Sequence, residues 1–335
     1  MTSRRRERIT DDPDAGYGRP ARRTRPRTKD RPSYDDAVEA RVITVDRGRF
    51  RCLLERTGVH ISATKARSLG RTGVIVGDLV RLVGDSSGAE GTLARIVEVT
   101  PRETVLRRTA DDDDPFERPI VANADQLVVV AALADPPPRP GMIDRILVAA
   151  YDAGLEPLLV FTKADLEVPD DLVAIYAPLG LRIIVMEPGA DLDGLRTALH
   201  GHRSVLVGHS GVGKSTLVNM LIPGVERAIG EVNEVTGRGR HTSSTAIALE
   251  LPDSDGWVID TPGLRSFGLS HVTPESIVAA FTDLAEVVVD CPRGCQHDST
   301  AAECALDAAV VDGRLAAERV ESFRRIEGAW MTPSH

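Results

Sequence analysis

The chain has 335 residues, 42% hydrophobic and 27% charged, which is globular composition with room for two or three domains. No apolar run approaches the ~18 residues of a helical membrane span, so no membrane partner is expected. The total charge of −9 is uneven: residues 1–32 hold eleven Lys and Arg against five Asp and Glu, leaving −15 on the rest.

Residues 1–34 read as a disordered basic arm, poor in apolar side chains. A basic arm suits an acidic polymer such as RNA, and a solvated tail is the equal alternative. The start, Met1-Thr2-Ser3-Arg4-Arg5-Arg6, has no apolar stretch after it and does not read as a secretory signal. A cytoplasmic location is expected.

Residues 35–110 carry short apolar or alternating segments at Ala40–Val45, Arg49–Glu55, Leu79–Val83 and Ala94–Val99. Turn signals separate them, at Asp46-Arg47-Gly48, Gly77-Asp78 and across Gly84–Gly91. Five or so short strands of this kind predict a small β-barrel of OB-fold size. Phe50 is the one aromatic residue there, so RNA binding would use shape and Arg47, Arg49, Arg51 and Arg71 rather than stacking. The alternative is a barrel that only docks on its neighbour.

The acidic run Asp111–Asp114 reads as a linker or exposed loop, and an α/β pattern follows over 111–270. Gln126–Leu133, Pro157–Phe161, Arg182–Met186, Ser204–Val207, Ala246–Leu251 and Trp257–Ile259 read as strands, with helical spacing over Met142–Ala153. The expectation is a mostly parallel sheet covered on both faces, with ligands beyond the C-terminal strand ends.

Three motifs fall at those ends. Gly208-His209-Ser210-Gly211-Val212-Gly213-Lys214-Ser215-Thr216 matches the phosphate loop Gly-x4-Gly-Lys-Ser. Its backbone N–H groups and the following helix N-terminus suit phosphate oxygens. Lys214 is expected on the β- and γ-phosphates and Ser215 on Mg²⁺. Asp260-Thr261-Pro262-Gly263 ends a later strand: Asp260 is a candidate magnesium residue and Gly263 a γ-phosphate contact. Thr162-Lys163-Ala164-Asp165 supplies base choice. The Asp165 carboxylate accepts from guanine N1–H and N2, Lys163 packs over the base, and Thr162 stands where Asn is usual. This base-reading segment precedes the phosphate loop, the reverse of an ordinary GTPase.

Between helix and strand, Gly237–Ala246 is rich in glycine and hydroxyls, as a switch loop ordered by γ-phosphate would be. Thr242 or Ser243 could hold magnesium there, and His241 could position the attacking water. Leu264, not Gln, follows the Asp-Thr-Pro-Gly segment, so unaided hydrolysis is expected to be slow and dependent on a partner. Over 271–335, Cys291, Cys295, His297 and Cys304 offer three thiolates and one imidazole, a set for one structural, tetrahedral Zn²⁺. Cys52 reads as a buried apolar residue, and Asp312–Gly328 as a charged amphipathic helix.

Motif order, Gly-Arg-His-Thr at 239–242, Asp-Thr-Pro-Gly followed by Leu-Arg-Ser-Phe-Gly, and the Cys/Cys/His/Cys cluster together resemble the RsgA (YjeQ/YloQ) family of circularly permuted ribosomal GTPases. The resemblance spans about residues 38–328. It implies an N-terminal OB-fold, a permuted GTPase core and a C-terminal helical zinc domain. It implies GTP and GDP as ligands, Mg²⁺ with GTP, and the small ribosomal subunit with its 16S rRNA as partner, acting as a monomer late in subunit maturation. It also implies His241 as the catalytic residue. The chain departs from the family pattern in the spacing of the metal ligands, in Thr242-Ser243-Ser244 where three threonines are usual, and in Met186-Glu187 where Ser-Ala is usual. A nucleotide-gated RNA- or protein-binding module with little turnover is the alternative; a P-loop ATP enzyme is a third.

Overall fold

The computed structural model describes residues 34–70, 73–108, 118–224, 246–252, 255–261, 269 and 272–331. Residues 1–33 of the basic arm, Arg71, the acidic run, His241, Thr242 and Gly263 lie outside them.

Strands β1 (Val38–Asp46), β2 (Arg49–Leu54), β3 (Val59–Lys65), β4 (Leu79–Gly84) and β5 (Ala94–Val99) pair in the order β1-β2-β3-β5-β4. β4 then returns to β1, which closes a barrel. Period-two alternation fills its interior: Val42, Cys52, Ile61, Ala63, Val80 and Ile96 are fully or almost fully buried. Cys52 is there as expected, its thiol pKa pushed up to about 12 by burial. β3 is the strand the sequence reading counted but did not place, because His60, Ser62 and Thr64 interrupt its apolar residues. β1 serves two partners within the barrel, and its Thr44 also pairs with Ile247 of the α/β region. Its first half pairs with β4, its second with β2, and the register shifts between Val42 and Thr44. Past that bulge Ile43 turns out of the barrel, and with Leu53 it joins the core of the α/β region.

A second junction between the two is built on Gly77. Its N–H donates to Val42 O (2.8 Å), and Ala122 N–H donates to Val76 O (2.9 Å). A Cβ on Gly77 would lie 1.9 Å from the Ala122 carbonyl oxygen, and φ is +88°, so only glycine fits. Beside it, fully buried Asp78 accepts from Arg102 Nε (2.6 Å) and Nη2 (2.9 Å) and from Ile75 N–H (2.8 Å). Strands β6 (Val105–Arg108) and β7 (Arg118–Ala122) form an antiparallel ribbon. The acidic run thus falls between two strands that pair with each other.

The remaining strands, β8 (Gln126–Ala132), β9 (Glu156–Thr162), β10 (Arg182–Val185), β11 (Arg203–Val207), β12 (Ile247–Glu250) and β13 (Trp257–Asp260), lie in the order β10-β9-β8-β11-β13-β12. All neighbours are parallel except β12 and β13. These are the six strands expected from the sequence. β8 is buried throughout because both sheet faces are covered. Leu127, Val129 and Ala131 face one core, Val128, Val130 and Ala132 the other. The second core is covered by α3 (Asp193–Leu199) and α4 (Lys214–Leu221). The first is covered by α1 (Pro140–Asp152), by α2 (Asp170–Tyr176), and by the C-terminal helices α5 (Pro274–Ala279), α6 (Thr282–Val288), α7 (Ala305–Val311) and α8 (Ala317–Met331).

Helix α8 begins later than the expected Asp312. Gly313 (φ +70°) ends α7, and the N–H groups of Arg314 and Leu315 turn back to Ala309 O (2.8 and 3.1 Å). Once started, α8 grips the α/β core. Arg325 pairs with buried Asp144 of α1 and lies 4.9 Å from the Tyr176 ring centroid. Burial pushes the Asp144 carboxyl up, and Arg325 pulls it back. Among the described residues no helix is long and apolar enough to cross a membrane.

Candidate nucleotide site and metal centre

Strands β9, β8, β11 and β13 are consecutive in the sheet, so their C-terminal ends form one edge. β11 ends at Val207, the loop Gly208–Gly213 turns back, and α4 starts at Lys214. The glycines are there for backbone reasons. A Cβ on Gly208 would meet Val130 O at 2.4 Å, while Gly211 and Gly213 have φ of +86° and +89°. The loop therefore lies against the sheet with its N–H groups and the start of α4 at the edge, the arrangement that suits an anion.

Two neighbours hold it. Thr162 Oγ1, at the end of β9, donates to Val212 O (2.7 Å). The residue standing where Asn is usual thus ties the base-reading segment to the phosphate loop. From the other side Lys214 pairs with Asp260 at the end of β13, both largely buried. Next to Asp260, Thr261 Oγ1 donates to Leu206 O (2.9 Å) and ties the end of β13 to β11. The sequence reading missed that anchor, since nothing in Asp-Thr-Pro-Gly distinguishes a structural hydroxyl from a passing one.

Asp165 and Ser215 are exposed at this edge. Lys163 (φ +61°) reaches across to the carbonyl of Asp135, in the loop before α1. Met186 is buried; its N–H donates to Phe161 O (2.8 Å) and its carbonyl accepts from Ala164 N–H (3.2 Å). The departure at Met186 is therefore absorbed by the core, while its backbone still braces the base-reading segment. Thr162–Asp165, Gly208–Thr216 and Asp260 are all brought together, leaving His241, Thr242, Ser243 and Gly263 as the predicted nucleotide-site residues beyond the described part.

The comparisons with known proteins agree with this geometry. Residues 99–270 match the model of the RsgA GTPase family. The chain belongs to the RsgA GTPase family. A relative from Pseudomonas aeruginosa, a small ribosomal subunit biogenesis GTPase RsgA, is 42% identical over 240 residues, 69% of each chain. One of the same name from Azotobacter vinelandii is 41% identical over 249 residues, covering 72% of this chain and 71% of its own. Among solved structures, YjeQ from Thermotoga maritima superposes with a TM-score of 0.63 at 26% identity, over 89% of this chain and all of the other. YloQ, a circularly permuted GTPase, gives 0.63 at 23% identity over 89% and 97%, a likeness of fold. The RsgA-family chain is thus a GTP-hydrolysing enzyme with a circularly permuted core and a β-barrel region.

A second site of this RsgA-family enzyme lies between α6 and α7. Cys291, Cys295, His297 and Cys304 present ligand atoms within 4.8 Å of one another. Cys291 Sγ is 3.5 Å from His297 Nδ1, and Cys304 Sγ is 4.0 Å from it. Tetrahedral zinc, with bonds of about 2.3 Å to sulfur and 2.0–2.1 Å to nitrogen, needs S···N separations of about 3.6 Å, so the donor set fits. Without a cation, Cys291 and His297 both resist their charged forms. Burial, then the neighbouring Cys304 and Cys295 thiols, push the Cys291 pKa up to about 11. Burial and then Arg324 lower that of His297. A bound dication would reverse the thiol preference. The altered spacing of Cys295 and Cys304 does not prevent closure, because Gly294 (φ +79°), His297 (φ +57°) and Glu303 (φ +58°) supply tight turns.

Proposed function

We propose that this enzyme binds the small ribosomal subunit and its 16S rRNA late in subunit maturation, and that hydrolysis of GTP to GDP and phosphate drives release. The reading is supported by the names of the relatives and, in the molecule itself, by one contact above all. The Thr162 hydroxyl bonds to the phosphate-loop backbone at Val212, which makes base recognition and phosphate binding a single unit despite the inverted order.

In this reading Asp165 accepts from guanine, and Lys163 and Ala164 shape the base site. The loop from Gly208 to Thr216 wraps the phosphates, with His209, Ser210, Gly211, Val212 and Gly213 contributing backbone N–H groups and Lys214 a charge. Ser215 and Asp260 hold Mg²⁺, together with Thr242; Gly263 contacts the γ-phosphate and His241 orients water. These last three roles rest on the sequence pattern. Cys291, Cys295, His297 and Cys304 hold one structural Zn²⁺, which fixes the loop between α6 and α7. The barrel's strand order and closure support an OB-fold over 35–110, followed by a GTPase domain over 111–270 and a zinc-binding helical domain over 271–335. A cytoplasmic monomer is the form proposed, with residues 1–34 as a basic arm.

The decisive measurement is GTP turnover by the purified full chain with and without small subunits. Stimulation of at least tenfold is expected. Equal rates would leave a nucleotide-gated binding module as the better reading.

A further inference from the structure

Helix α8 carries a side chain that no search for metal ligands would select. Arg324 Nε donates to the backbone carbonyl of His297 (2.8 Å), inside the metal-ligand loop. Its Nη1 and Nη2 donate to Oδ1 and Oδ2 of Asp307, both at 2.9 Å. Asp307 lies in the first turn of α7, the helix capped by Cys304. In that same turn Ala305 N–H donates to Cys291 Sγ (3.3 Å). One planar guanidinium therefore spans the two halves of the ligand set: the loop carrying His297 and the helix start carrying Cys304.

We infer that Arg324 is the positioning residue of the Cys₃His centre, holding His297 and Cys304 in register. The inference rests on the metal reading proposed above. The Arg324 charge is matched by the Asp307 carboxylate it grips, so its role is one of placement. A fork binding two acceptors of different elements fixes orientation, which a lysine cannot do. Partners of this kind orient ligands, and their loss costs about 10–100-fold in metal affinity.

The test is chelator competition for Zn²⁺ on the full chain, with the absorption spectrum of the Co²⁺-substituted protein as a report of ligand geometry. Arg324→Met is expected to weaken Zn²⁺ about 10–100-fold and to perturb the cobalt spectrum, while Arg324→Lys recovers only part of the affinity. GTP-analogue binding reports whether each variant is folded. If Arg324→Met does not fold, Asp307→Asn, which keeps the arginine but weakens its anchor, is expected to lose affinity several-fold. Wild-type affinity with an unchanged cobalt spectrum in whichever variant folds overturns the positioning role. A wild-type chain that binds no zinc or cobalt overturns the metal reading itself, and the positioning role with it.

Discussion

The barrel and the C-terminal helices flank the same GTPase core and are held in opposite ways. The barrel closes on itself around its own cluster, in which Val42, Cys52, Ile61 and Ile96 meet no residue of the α/β sheet core. It touches that core through Ile43 and Leu53, through the pairing of β1 with β12 at Thr44 and Ile247, and at the Gly77 joint. The C-terminal helices have no core of their own. Phe281, Leu284, Leu306, Phe323 and Ile326 belong to the cluster that also contains Leu147, Leu159 and Phe161 of the α/β region. Tyr151 of α1, Phe281 and Phe323 pack in sequence, tilted and then edge-to-face, with ring centroids 4.7 and 5.6 Å apart. Movement at the nucleotide edge can therefore reach the C-terminal helices through packed side chains, whereas it reaches the barrel largely through backbone hydrogen bonds, at Gly77 and between β12 and β1.

The largest effect that could break this comparison comes from two core truncations set side by side. Phe323→Ala should cost about 3–5 kcal/mol and Ile61→Ala about 2–5 kcal/mol. Their distribution is the point. Hydrogen exchange followed by mass spectrometry should show Phe323→Ala loosening α8, α5 and α1 together, while Ile61→Ala loosens β1–β5 alone. Faster exchange in the barrel of the Phe323 variant would show that the two regions share one cooperative unit after all.

The joint itself is the next target. Gly77→Ala places a methyl against the Ala122 carbonyl in a backbone conformation reserved for glycine. A loss of about 2–3 kcal/mol is expected, read by denaturant unfolding. GTP-analogue affinity should change little, since Gly77 lies outside the motifs at the nucleotide edge. A large loss of affinity would mean that the barrel's seating helps to shape that edge.

What could be read from the sequence follows the same division. The strands of the α/β core were legible because a strand buried on both faces is a continuous apolar run, as in Gln126–Ala132, and because each motif marks a strand end. The cysteine cluster was legible by density alone. β3 and the β6–β7 ribbon were not placed, since His60, Ser62 and Thr64 dilute one, and the acidic run between the others reads as a linker. The start of α8 was misjudged because an amphipathic pattern runs through the Gly313 turn, where the stop signal is a backbone geometry. Thr261 and Arg324 were missed for a common reason: each acts on a backbone carbonyl, Leu206 or His297, that only the fold brings near.

The smallest effect sharpens the comparison through pH. Glu327, buried on α8, has its pKa raised to about 7, by desolvation first and by the nearby Asp298 second, with Arg324 pulling the other way. The folded state thus holds this proton more tightly than the unfolded chain does. Below the ordinary glutamate range both states are protonated and the residue is neutral to stability. As pH rises, the unfolded chain ionises first and the fold is progressively penalised, until the penalty is complete above about pH 7. Glu327→Gln removes an ionisation that the C-terminal helices resist. It should therefore stabilise the protein on the order of 1–2 kcal/mol at pH 8 and have almost no effect at pH 4. Thermal melts of the metal-loaded pair at several pH values would measure it. A gain that does not grow between pH 5 and pH 8 would place the Glu327 carboxylate in a better-solvated environment than its burial in α8 implies.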